Sequence, residues 1–260
     1  MAEQVYDSHK CLNCGGKLSS KYCPNCGQER VTGRFEAGTI ISQAAGEIFR
    51  WDNLLLRTFK QLLTRPGHFV KDYLNGKRKP YVKSFSFFMY FLTINIFVFH
   101  WLSGKYISLV VNSINQAAAD SVQASLDKVR DTIQAYKNYM YFLLPFIYAF
   151  SLKVFLKKRT GINYAESLVF SLYCYAMFLF FNTIILFLSI IDARMMGLSF
   201  PVILIYLSIA VMQFSGCSKI RGLLIGGFVT VLSYLIFIVI IYIAIFSFKT
   251  LFDVHKTLSF

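Results

Sequence analysis

The sequence predicts an all-α polytopic membrane protein of about five transmembrane helices behind a small N-terminal zinc-ribbon or double-knuckle module. Three observations carry this. The chain is 56% hydrophobic over 260 residues, against about 45–50% for soluble domains. Five apolar stretches, about 85–103, 138–156, 166–191, 199–214 and 223–247, approach the roughly 20 residues that a membrane-crossing helix needs. Four cysteines stand in two matched pairs within KCLNCGGKLSSKYCPNCGQER, residues 10–30. The expected organisation is a metal-binding head over 1–32, an amphipathic and basic pre-membrane region over 33–84, and a helical membrane domain over 85–260.

The head comes first. Cys11-x2-Cys14 and Cys23-x2-Cys26 are each followed by a glycine, Gly15 and Gly27. Two residues between thiolates let one tight turn present both sulfurs to a single ion, and glycine accepts the bend that follows. Four thiolates with bonds of about 2.3 Å make the closed tetrahedral site of structural zinc. The predicted cofactor is therefore one structural zinc ion, with iron or a redox dithiol as the alternatives. No apolar leader precedes the cysteines, so the N-terminus is expected in the cytoplasm, where reducing conditions favour metal thiolates over disulfides. Cys174, within a span, and Cys217, in a loop, are read as packing residues.

The pre-membrane region reads as amphipathic over TIISQAAGEIFRWDNLLLRTFKQLLTRPG, residues 39–67. Leu55, Phe59, Leu62 and Leu63 are placed on one face, with Arg57 and Lys60 splayed toward headgroups and Phe49 and Trp51 as interfacial anchors. Such a helix is suited to lie in the membrane interface. Pro66 and Gly67 should end it. A short helix, HFVKDYL, then leads to a turn at Asn75-Gly76 and the basic run before Pro80. Arg65, Lys71, Lys77, Arg78, Lys79 and Lys83 are the candidate lipid- or anion-binding residues, since cations against a membrane span attract anionic headgroups. Nucleic acid would also attract this charge, but its position favours lipid.

Orientation follows from the short loops. KRKPYVK, LKKR and SKIR are basic and alternate with IIDARMMG, which carries one acid and one base. With five spans the basic loops all fall on the N-terminal side, which is the positive-inside pattern. The expected location is a bacterial inner membrane, N-terminus cytoplasmic and C-terminus extracytoplasmic. In the first outer loop, Val111, Ile114, Ala118, Val122, Leu126, Val129, Ile133 and Tyr136 recur at helical spacing. They predict an amphipathic helix over about 111–136, packed on the spans or the membrane surface, or else binding a partner or a second copy of the chain. No internal repeat stands out.

The combination CLNCGGKLSSKYCPNCGQ with LLTRPGHFVKDYLNGKRKPYVKSFSFF resembles the bacterial, Bacteroidetes-type membrane family known as domain of unknown function 3667. The resemblance covers the front 90 residues by motif and the remainder by hydropathy. It implies a zinc-ribbon head on a multi-span body, with no established activity. Five spans and a cytoplasmic N-terminus are also similar in topology to Yip-type membrane trafficking proteins.

The intramembrane polar residues Asn95, Asn182 and Gln213 are candidates because polar groups in lipid are expensive. They are read first as interhelical hydrogen-bonding groups. His100 and Glu166 fall on opposite sides in this topology and make no acid–base pair. No zinc-protease, nucleophile-elbow or phosphate-loop motif occurs. The sequence therefore points to a non-enzymatic scaffold or adaptor: its zinc head docks a cytoplasmic protein and its basic region contacts anionic lipid. A transporter or lipid-handling protein with a path lined by Asn182 and Gln213 is the first alternative. A zinc-linked redox or metal sensor is the second.

Overall fold

The computed structural model describes residues 10–30, 53–115 and 141–258. Phe49, Trp51 and most of the helix expected over 111–136 lie outside the described residues. After the head the elements are α1 (Asn53–Thr64), α2 (Pro66–Leu74), α3 (Ser84–Asn115), α4 (residues 141–160), α5 (Tyr164–Leu188), a 3-10 turn (Ala193–Leu198), α6 (Ser199–Ser215) and α7 (Lys219–Leu258). Among the described residues the regular structure is helical apart from isolated bridges in the head.

Among the described residues three helices are long and apolar enough to cross a membrane: Ser84–Leu102, Tyr164–Leu188 and Lys219–Ile240. Ser199–Ser215 is apolar but shorter. Among the described residues α3 packs along α5, and α6 along α7. Two glycines make the second contact close: a Cβ at Gly222 would lie 2.7 Å from Met212 Cα, and one at Gly226 would lie 2.6 Å from Ser208 Cα. Tyr164–Leu188 is the central helix, buried nearly all round, as an all-apolar surface requires. It starts with a capping box in which Asn163 Oδ1 accepts from Glu166 N–H at 2.8 Å and Glu166 Oε2 accepts from Asn163 N–H at 3.0 Å. Glu166 thus satisfies the orphan donors of a helix start.

Two differences from the sequence reading lie on either side of the first span, one before α3 and one at its far end. Pro66 does end α1, but it also sits in the first turn of α2, where its missing N–H costs nothing. Gly67 is no exit residue. A Cβ there would come within 2.2 Å of Ala210 O and 2.6 Å of Phe214 N, so glycine lets α2 seat directly on the α6 backbone. Phe69, Val70, Tyr73 and Leu74 are buried in the main core, and Phe69 meets Tyr173 edge-on at 5.1 Å. This part of the pre-membrane region is inserted among the bundle helices. On α1 the covered face is Leu55, Thr58, Phe59 and Leu62, while Leu63 is exposed. The other difference is at the far end of α3, which continues without a break to Asn115.

Candidate metal centre

Each cysteine pair sits in its own small hairpin. In the first, Gly15 N–H donates to Cys11 O and Cys11 N–H to Gly16 O, both at 2.8 Å. In the second, Gly27 N–H donates to Cys23 O and Cys23 N–H to Gln28 O, again at 2.8 Å. Gly15 and Gly27 have φ of +74° and +66°, a region that side chains avoid. The bridges Lys10–Lys17 and Tyr22–Glu29 close the two hairpins. The second is the first moved twelve positions along the chain, Cys11 to Cys23, and both read C-x-N-C-G. This repeat escaped the sequence reading because it is only a few residues long.

The four sulfurs converge. Cys11 Sγ lies 3.5 Å from Cys26 Sγ and Cys14 Sγ lies 3.6 Å from Cys23 Sγ, and all four fall within 4.8 Å of one another. A tetrahedron with bonds of about 2.3 Å has edges of about 3.8 Å, so the four residues fit one metal ion. Burial pushes the Cys11 thiol up to about 11. Burial acts the same way on Cys26, but the Gln28 N–H, the Asn13 side chain and the neighbouring thiols outweigh it and bring Cys26 down to about 6. Two sulfurs 3.5 Å apart resist carrying two negative charges without a cation between them. A bound cation removes that conflict. Asn25 Nδ2 donates toward Cys14 Sγ at 3.7 Å.

The head is fastened to the body through a residue the sequence reading passed over. Gln28 is buried, and its Nε2 donates to Gly76 O at 2.7 Å. Its Oε1 accepts from Arg78 N–H at 3.2 Å and Lys79 N–H at 3.1 Å. The first knuckle adds Leu12, which lies so close over Gly76 that a Cβ there would fall 2.5 Å from Leu12 Cδ1. Gly76 itself has φ +106°. Each knuckle therefore contributes one side chain to a clamp on the turn that leads into α3.

Residues 52–96 match the family model described as Protein of unknown function (DUF3667). The matched segment holds α1, α2, the clamped turn and the first part of α3. The cysteine head lies outside it. Comparison with the curated proteins and with the solved structures returned no match.

The basic residues are distributed around this turn. Lys77 pairs with Asp72 at 3.7 Å, Arg78 Nε donates to Tyr73 O at 3.4 Å, and Lys79 Nζ lies beside Gly27. Arg65 is exposed and bonds Gln61 Oε1 through its Nε at 2.6 Å, while Lys71 and Lys83 are half-buried. Asn95 and Asn182 are brought together: Asn95 Nδ2 donates to Asn182 Oδ1 at 3.1 Å and to Thr183 Oγ1 at 3.0 Å. Asn182 Nδ2 in turn reaches Ser199 Oγ at 2.9 Å. Gln213 stands elsewhere, fourteen residues further along α6 than Ser199 and hence about 21 Å away. Its Oε1 accepts from Gly67 N–H at 3.0 Å, capping the start of α2.

Proposed function

We propose that this chain is a non-enzymatic membrane scaffold or adaptor. In this reading it crosses a bacterial inner membrane five times, with α4 and α6 completing the three long spans and the head in the cytoplasm. Cys11, Cys14, Cys23 and Cys26 hold one structural zinc ion. Four protein ligands leave no open position for a reacting water, so the metal's contribution is shape. The observation that carries the reading is the Gln28 clamp. It turns a module of about 20 residues, too small for its own core, into a fixed knob on the membrane body. The exposed residues of the head include Lys17, Ser19, Ser20, Lys21, Tyr22 and Pro24. Tyr22 is 52% exposed with Lys21 Nζ 5.7 Å from its ring. An exposed aromatic is a common anchor for a protein partner. Arg65, Lys71, Lys77 and Lys79 face anionic headgroups around the base.

The test compares wild type with Cys23→Ser/Cys26→Ser in native membranes, by crosslinked capture and by zinc analysis of both proteins. The expected result is one zinc per wild-type chain, none in the variant, and a cytoplasmic protein captured only by the zinc-loaded form. Equal capture by two proteins that insert equally well would remove the adaptor reading. The clamp also favours a second reading, a zinc-linked sensor, since loss of the metal would release the turn that feeds α3.

A further inference from the structure

A second cationic group lies away from the pre-membrane cluster, on the loops that join the later helices. Lys157, Lys158 and Arg159 close α4, and Lys219 and Arg221 open α7; all five are exposed. Two contacts bring these separate segments together. Arg159 Nη1 donates to Cys217 Sγ at 2.7 Å, and Phe155 packs edge-on against Phe228 with ring centroids 5.3 Å apart. The end of α4 and the start of α7 are therefore neighbours, and these contacts bring Arg159 and Arg221 to the same junction. Among the described residues none of the five enters an ion pair; the acids at this end are engaged elsewhere, Asp72 with Lys77, Glu29 with Lys21 and Glu166 in its capping box.

The chemistry beneath the junction is apolar. On α7, Arg221 heads a stripe of Leu224, Phe228 and Val231, spaced by three and four residues and so on one face. Leu224 is 68% and Phe228 57% exposed. On α4, Val154 and Phe155 are exposed below Lys158 in the same way. From Arg221 to Val231 the stripe runs about 15 Å, close to the thickness of one leaflet, half of about 30 Å. A free anion would need only the cations. A neutral lipid would need only the apolar wall.

We infer that the junction of α4 and α7 is a phospholipid site: Lys158, Arg159 and Arg221 hold an anionic headgroup, and Phe155, Leu224 and Phe228 flank its acyl chains. This rests on the membrane reading above but uses none of the residues of the head or its clamp. A lipid seated there would bridge two helices that already touch through Phe155 and Phe228.

The experiment uses the purified full chain in detergent and native mass spectrometry of lipid adducts. The probes are dioleoylphosphatidylglycerol, dioleoylphosphatidylcholine and inorganic phosphate. Wild type should retain phosphatidylglycerol in preference to phosphatidylcholine. Lys158→Gln/Arg159→Gln/Arg221→Gln should weaken it by about fivefold for each cation removed. The charge-conserving Lys158→Arg/Arg221→Lys should retain it, which separates lost charge from failed folding. Lys77→Gln/Lys79→Gln tests the pre-membrane cluster separately. If that variant alone loses the lipid, the headgroup contact of the proposed function stands and this site falls. Equal retention of the two phospholipids would make the junction ordinary lipid-facing surface. Displacement of phosphatidylglycerol by millimolar inorganic phosphate would make it a free-anion site. Either result overturns the proposal.

Discussion

The head and the bundle solve the same problem with opposite means. Around the four sulfurs the buried apolar side chains are few, Leu18 beside Cys11 and Cys23, and the backbone is held by short hairpins and glycine turns. In the bundle one apolar core extends from Leu62 on α1 to Phe237 on α7, and its buried polar groups are mostly serine and threonine hydroxyls bonded to helix carbonyls, beside the Asn95–Asn182 pair. The head can be specified by a handful of ligands at fixed spacing because a metal held by them would supply its folding energy. The bundle has no such shortcut, and its specificity lies in close approaches such as Gly67 on Ala210. The two regions should therefore fail independently, except at the clamp between them.

The largest effect separates them by metal removal. Chelation of the purified protein should unfold residues 10–30, since structural zinc sites supply about 10–16 kcal/mol, while the helices remain. Limited proteolysis before and after chelation, read beside helical circular dichroism, checks both halves. Simultaneous loss of helical signal would mean that the bundle depends on the head. The converse variant is Gly67→Ala, whose new Cβ would meet Ala210 O at 2.2 Å. Overpacking costs about 1–3 kcal/mol, so the thermal midpoint of the bundle should fall while metal content stays at wild-type level.

The smallest effect falls on the clamp itself. Gln28→Ala leaves Gly76 O and the N–H groups of Arg78 and Lys79 without their partner, a change of about 1–3 kcal/mol. Metal and helix content should both be unchanged. What should disappear is proximity: a short thiol-specific crosslink between cysteines placed at Leu12 and Asn75 should form in the parent and fail in the variant. An unchanged crosslink would show that the head keeps its place without Gln28.

The two regions also differed in how legible they were. The metal centre could be read from spacing, because two residues between thiolates and a following glycine are local chemistry that needs no tertiary partner. Three of the five expected spans, Ser84–Leu102, Tyr164–Leu188 and Lys219–Ile240, were readable for a similar reason, each being a property of one continuous segment. The clamp was not, since Gln28 and Gly76 are 48 positions apart and nothing about a glutamine marks its target. A hint was present in Gly76 within a basic run, where a positive φ leaves room for a neighbour. The burial of α2 was missed because an apolar face beside lysines looks the same whether it meets lipid or protein. Gly67 illustrates the same limit: a glycine after proline reads as a turn until the partner backbone is in view. Asn182 and Gln213 were grouped by membership in the membrane, whereas the helix axis separates them.

The lengths of α3 and α7 carry a consequence of their own. At about 1.5 Å per residue, the 32 residues of Ser84–Asn115 and the 40 residues of Lys219–Leu258 measure about 48 and 60 Å. Ser84 follows the clamped turn, and Lys219 stands two residues before Arg221. Both helices are longer than the roughly 30 Å hydrocarbon core of a bilayer. Each is therefore one unbroken rod that starts at a basic surface, and a push or a twist on its length is delivered there.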